Sequence, residues 1–145
     1  DYPEIEPRWA GHAGVTVRPF LDDIAAAYRR SRLLVCRAGA MTLAEITALG
    51  KPAILIPFPG AVDDHQTRNA RVLADAGAAI LVADDELDGA RLASEVERLL
   101  GQPQTLRDMA RSAEGLARPH ATEELVAAIR GLAGVHHRDA VVALS

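Results

Sequence analysis

Apolar positions in this chain fall into short unbroken runs separated by stretches with a period of about 3.6 residues. The runs are Leu33-Leu34-Val35-Cys36, Ala53-Ile54-Leu55-Ile56 and Ala79-Ile80-Leu81-Val82. None of them alternates with polar residues, which is the pattern of parallel strands covered on both faces. An alternating run, Val15-Thr16-Val17-Arg18-Pro19-Phe20, predicts a further short strand ahead of them. The periodic stretches predict helices at 24–30, 42–49, 64–76, 89–100, 104–116 and 122–132. Asp22 and Asp23 are placed to cap the first of these, because a carboxylate accepts the unpaired N–H groups of a first helical turn. Gly50 and Gly77 follow the second and third, where a left-handed residue ends a helix. Strand and helix alternating at this spacing predict an α/β fold: a Rossmann-like, mostly parallel sheet with helices on both faces.

Composition narrows what such a fold does here. The 145 residues are 49% hydrophobic and 25% charged, enough for one packed domain, but only 3% aromatic, so the core must be aliphatic. A formal net charge of −4 argues against a nucleic-acid surface. The one cysteine, Cys36, rules out an internal disulfide framework or a cysteine-rich zinc site, and a reducing, cytoplasmic setting fits. No apolar run approaches the roughly 18 residues of a membrane span. Residues 1–14, with Pro3, Pro7 and no periodicity, are expected to be an irregular lead-in. The abrupt start of the α/β pattern at Val15, and Asp1 in place of Met, point to a piece of a longer chain with its first βα units missing. Residues 135–145 read as a tail whose Val141-Val142 pair could pack on a partner.

In sheets of this kind ligands bind beyond the carboxyl ends of the strands. Two loops there carry candidate chemistry. Arg37-Ala38-Gly39-Ala40-Met41-Thr42 joins a buried run to a helix start. Its small residues allow close approach to unpaired N–H groups, and the helix dipole favours an anion such as a diphosphate. Glu45, a turn further on, is suited to accept hydrogen bonds from ribose hydroxyls. The same Thr42-Leu43-Ala44-Glu45 also reads as a capping box that merely satisfies the helix start. Neither a Walker loop nor a G-x-G-x-x-G fingerprint is present. In the second loop, 57–70, His65, Gln66 and Asn69 gather at another helix start as neutral donors and acceptors of the kind that suit sugar hydroxyls. There Asp64 reads equally as a simple cap. Asp63, Asp64 and His65 are adjacent and do not converge as metal ligands do, so no metal is expected.

Taken in order, three segments carry a resemblance: Cys36 to Ile46, Gly50 to Phe58, and Asp64 to Ala70, with Phe20 to Tyr28 before them. They resemble the C-terminal domain of the MurG family of N-acetylglucosaminyltransferases, over about residues 15–134. The resemblance implies the C-terminal half of a GT-B fold, acting as a nucleotide-sugar donor-binding domain for UDP-N-acetylglucosamine. By position, Phe20, Leu21 and Ile24 would line the uracil pocket, and Glu45 would hold the ribose. Gly39, Ala40, Met41 and Thr42 would face the diphosphate and sugar. His65 and Gln66 would contact the sugar hydroxyls, with Asn69 supporting that turn. It further implies an inverting transfer that converts lipid I to lipid II in peptidoglycan synthesis, at the cytoplasmic face of the plasma membrane, with no cofactor. The family's Gly-Gly-Ser loop and its N-terminal acceptor domain, which carries the proposed catalytic histidine, are expected upstream of this segment. No catalytic base is identified within it: His12, His120, His136 and His137 read as surface histidines. Position 65 is His where some members have Gln. Another UDP-sugar enzyme of the same fold, a stand-alone donor-binding subunit and a non-catalytic nucleotide-sugar sensor are the competing readings.

Overall fold

A computed structural model describes residues 2–132. In chain order it contains α1 (Tyr2–Trp9), α2 (Ile24–Arg30), β1 (Leu34–Cys36), α3 (Ala40–Ala48), β2 (Ala53–Leu55), α4 (His65–Asp75), β3 (Ala79–Leu81), α5 (Gly89–Leu100), α6 (Pro103–Gly115) and α7 (Ala121–Leu132). Short 3₁₀ turns, Val62–Asp64 and Asp84–Glu86, precede α4 and follow β3. The three strands form a parallel sheet in the order β1-β2-β3, with Val35 opposite Ile54 and Ile54 opposite Ile80.

The unbroken apolar runs have the predicted consequence in full only in β2, whose three residues are all buried; β1 leaves Val35 43% exposed and β3 is buried in part. Successive side chains of a strand point to opposite faces, so a strand apolar throughout supplies two cores. Ala53 and Leu55 face a cluster with Leu43 and Ile46 of α3, Ala70 and Leu73 of α4, and Ala113 of α6. Ile54 and Ile56 face the other way, against Val82, Leu99 of α5, and Leu106 and Met109 of α6. Both clusters are aliphatic, as the scarcity of aromatics requires; Ile46, Ile54, Leu55 and Leu99 are fully buried. Each such side chain stabilises the fold by roughly 1.5–3 kcal/mol through burial.

Helices α3 and α4 end alike. Gly50 (φ 56°) and Gly77 (φ 72°) take left-handed backbone, as their positions predicted. At the first end, Lys51 N–H donates to the Ile46 carbonyl and Gly50 N–H to the Thr47 carbonyl; at the second, Ala78 N–H donates to Leu73 and Gly77 N–H to Ala74. This paired pattern is a Schellman motif. In both places it turns the chain straight into the next strand, which sets where β2 and β3 begin.

Several expectations need correction. Residues 15–20 are not a strand: alternation says which side chains share a face, but a ladder needs a neighbour, and none of the described strands pairs with them. Pro19 also lacks the N–H a ladder uses, and Val15 and Phe20 stay exposed. The lead-in is not irregular, since α1 forms there. Pro3 sits at its second position, where a missing N–H costs nothing, and Pro7 removes a single bond. The helix buries none of its residues, which is why no periodicity marks it. Helix α3 starts at Ala40, not Thr42, with Gly39 as its cap. Thr42 is therefore inside the helix, and the capping-box reading of Thr42 and Glu45 fails. The expected tail at 135–145, and His136 and His137 with it, lies outside the described residues.

Candidate functional site

The carboxyl ends of β1, β2 and β3 lead into loops 37–39, 56–64 and 82–86, which lie side by side because the strands are parallel and adjacent. From the first loop rises α3. Its cap Gly39 has φ −68° and ψ 146° and provides no side-chain bond. The first backbone bond of the helix runs from Leu43 N–H to the Gly39 carbonyl, so the N–H groups of Ala40, Met41 and Thr42 have no such acceptor. A Cβ placed on Gly39 would meet only Thr42 Oγ1, at 3.9 Å. The fold thus does not need a glycine there, but it leaves the helix end uncovered, with Met41 largely exposed beside it.

The second loop is fastened to the first through α4. Gln66 Oε1 accepts the Ala38 N–H at 3.2 Å and the Phe58 N–H at 3.0 Å. Asn69 Nδ2 donates to the Ala38 carbonyl at 3.4 Å. Gln66, expected to contact the sugar, and Asn69, expected to support that turn, therefore hold both backbone groups of Ala38, next to Gly39. This occupies the Gln66 carbonyl oxygen and leaves its Nε2 as the group that can meet a ligand. His65 is exposed, and its Nδ1 lies 2.7 Å from the Val62 carbonyl. Nδ1 must donate that bond, so in the neutral ring Nε2 is an acceptor.

Before His65 the backbone is unusual. Asp63 (φ 52°) and Asp64 (φ 51°) are both left-handed, a conformation that Asp tolerates better than most residues. Asp64 stands at the cap position of α4, yet its carboxylate bonds no N–H of the helix. Its reading as a side-chain cap is overturned. Asp23 does cap α2, accepting the Ala26 N–H at 2.8 Å, whereas Asp22 has no such role.

Glu45 is half-buried on α3. The phenol of Tyr28 on α2 is pushed above its ordinary value, chiefly by burial and then by the negative charges of Cys36 and Glu45. Tyr28 also packs against the core cluster that holds Leu43 and Ile46 of α3. Ile24, at the start of α2, and Phe20 and Leu21, just before it, are exposed, and Phe20 is the most open at 75%. No hydrogen bond or core contact ties Phe20 or Leu21 to the two loops. The structure brings together Gly39, Gln66 and Asn69.

Sequence reasoning passed over Arg37 and Asp84. Arg37 Nη1 donates to the carbonyls of Ile56 (3.3 Å) and Pro57 (3.1 Å) and pairs with Asp84 Oδ1 at 2.5 Å. Its guanidinium also lies 5.7 Å from the centre of the Phe58 ring. The only local signal was a cation directly after a buried strand and before a helix start.

Comparison with known proteins places this arrangement. Residues 1–125 match the glycosyltransferase family 28 C-terminal domain. The chain belongs to that family. Among curated glycosyltransferase relatives, the UDP-N-acetylglucosamine--N-acetylmuramyl-(pentapeptide) pyrophosphoryl-undecaprenol N-acetylglucosamine transferase of Alkalilimnicola ehrlichii is 53% identical over 111 residues, covering 75% of this chain and 31% of the relative. The enzyme of the same name from Cupriavidus metallidurans is 52% identical over 126 residues, covering 86% and 34%. The crystal structure of Acinetobacter baumannii MurG superposes with a TM-score of 0.74 at 40% identity, covering 80% of this chain and 35% of that one. The fold is thus that of the C-terminal, GT-B half of a family 28 glycosyltransferase. The chain spans about a third of the length of the relatives it matches.

Proposed function

We propose that this chain is the donor-binding half of an N-acetylglucosaminyltransferase, taking UDP-N-acetylglucosamine and serving transfer to the muramyl-pentapeptide lipid that its relatives are named for. The observation that carries this reading is the uncapped N-terminus of α3, flanked by loops already fastened together. Three unpaired N–H groups and the helix dipole suit a diphosphate, and they would stabilise the charge that grows on it as the sugar leaves.

Around that anchor each residue has a role. Gly39, Ala40, Met41 and Thr42 meet the diphosphate and the sugar through backbone. Glu45 accepts the ribose hydroxyls, and with Thr42 inside the helix it has no capping duty to share. Phe20, Leu21 and Ile24, an exposed apolar edge, pack against the flat uracil. His65 accepts a sugar hydroxyl at Nε2 while Gln66 donates through Nε2, and Asn69 holds the loop behind them. Neither metal nor cofactor takes part. The acceptor, the catalytic base and contact with the cytoplasmic face of the membrane belong to an N-terminal domain in the full-length protein. There the muramyl hydroxyl, deprotonated by that base, attacks C1, the configuration inverts, and UDP departs.

Calorimetry of UDP binding to the full-length protein tests the reading. Glu45→Ala removes a charge-assisted acceptor and should weaken UDP by about tenfold or more. Unchanged affinity would exclude the ribose role of Glu45.

A further inference from the structure

Arg37 lies where the ends of all three strands meet. It follows β1 directly, the carbonyls it bonds belong to Ile56 and Pro57 directly after β2, and Asp84 stands in the turn after β3. The Phe58 ring under its guanidinium belongs to the middle loop as well. Arg37 and Asp84 are each partly open to solvent, at 50% and 35% side-chain exposure. A pair this exposed contributes little to global stability. Its geometry instead fixes three loops against each other by one planar, always-charged group.

We infer that Arg37 is a positioning residue for the donor site, clamping the loop after β2 and the turn after β3 onto the loop that opens α3, with Asp84 as the outer anchor. This rests on the donor-binding reading above and adds a device to it. The Gln66 bonds join the first two loops only; Arg37 adds the third. A site held in its binding geometry before the ligand arrives pays less ordering entropy on binding.

The alternative chemistry is direct: an arginine near a helix N-terminus can itself hold a phosphate. The two differ in what Asp84 does. In a clamp Asp84 helps binding; beside a phosphate-binding arginine it competes, and its removal should tighten the nucleotide.

The experiment uses the full-length protein with Arg37→Ala, Arg37→Lys, Asp84→Ala and the double alanine variant. UDP affinity is measured by calorimetry, and hydrogen exchange of segments 57–62 and 83–87 is followed without ligand. Arg37→Ala should weaken UDP by about tenfold and Asp84→Ala by about threefold. Arg37→Lys, which keeps the charge but loses the planar group over the Phe58 ring, should fall between. The double variant should bind no worse than Arg37→Ala alone, because the carboxylate acts only through the guanidinium. Both loop segments should exchange faster in Arg37→Ala while the strands keep their protection. Tighter binding by Asp84→Ala, additive losses in the double variant, or unchanged loop exchange would each overturn the clamp. If the wild-type protein fails to bind UDP, the donor-binding reading falls, and loop exchange alone still decides whether Arg37 clamps.

Discussion

Replacing Gln66 separates structure from binding at a single position. Its Oε1 receives two backbone donors, Ala38 N–H at 3.2 Å and Phe58 N–H at 3.0 Å. Ala38 is fully buried, so Gln66→Ala strands a donor that water cannot reach. An unsatisfied buried donor costs about 1–3 kcal/mol. Phe58 is half exposed, so its N–H can turn to water, and losing that bond adds only about 0.5–1.5 kcal/mol at most. We expect Gln66→Ala to lose about 2 kcal/mol. Gln66→Glu behaves differently, since a carboxylate accepts both donors with charge assistance. Its stability should stay within about 1 kcal/mol of wild type. Yet it loses the Nε2 donor and sets a negative charge beside the place assigned to the diphosphate, so UDP-N-acetylglucosamine affinity should fall at least as far as in the alanine variant. Urea denaturation gives the stabilities and calorimetry the affinities. A loss below about 0.5 kcal/mol in Gln66→Ala would refute the claim that this amide joins the loops. Normal donor binding by Gln66→Glu would refute the placement of the diphosphate.

Three further outcomes follow from single observations. Gly39→Ala should fold normally, because its Cβ meets nothing closer than 3.9 Å at an ordinary φ of −68°; UDP affinity should nevertheless drop as the methyl covers the helix end, and unchanged calorimetry would remove the close-approach argument. Gly50→Ala and Gly77→Ala both force left-handed backbone on a residue with a Cβ, costing about 1 kcal/mol each in denaturant melts. Gly50→Ala should cost more, since its Cβ would lie 2.5 Å from Glu114 Cγ whereas the nearest atom at Gly77 is Ser112 Oγ at 3.8 Å; equal losses would mean that Glu114 simply swings aside. Burial pushes the Cys36 thiol up from 9.0 to about 11. The folded state then holds its proton longer than the unfolded one, so this contribution is whole below pH 9 and is lost as pH rises through 11. Alkylation of the native protein should stay slow at pH 8 and rise only toward pH 11; rapid labelling at pH 8 would contradict the burial.

Much of the fold was legible because it rests on local rules. An apolar run of four is enough to mark a strand of the parallel sheet, though of the three only β2 is buried throughout, and Gly50 and Gly77 announce helix ends through a conformation that other residues avoid. Apart from α1, which no pattern marks, the failures share one cause: a pattern can be satisfied without being used. Residues 15–20 alternate as a strand does, but pairing depends on a neighbour that alternation does not reveal. Thr42 and Glu45 have the spacing of a capping box, but the helix starts earlier, because Ala40 and Met41 are themselves good helix formers and Gly39 can cap without a side chain. Asp64 has the right chemistry for a cap and the wrong backbone, since a left-handed residue turns its carboxylate away from the first turn.

The site divides along the same line. Its helix start and its polar cluster were visible as segments, and a family resemblance set them in order. Their mechanical relation was not visible, because it lies in bonds between residues far apart in the chain: Ala38 with Gln66, 28 positions on, and Arg37 with Asp84, 47 positions on. Periodicity and capping carry no information at that range. The structure shows that Gln66 and Asn69 serve the backbone of Ala38 before they can serve any ligand. A residue can therefore belong to a binding motif because it shapes the pocket, and a loss of binding on its removal does not by itself prove contact. Only a substitution that keeps the bonds and changes the exposed group, such as Gln66→Glu, tells the two apart.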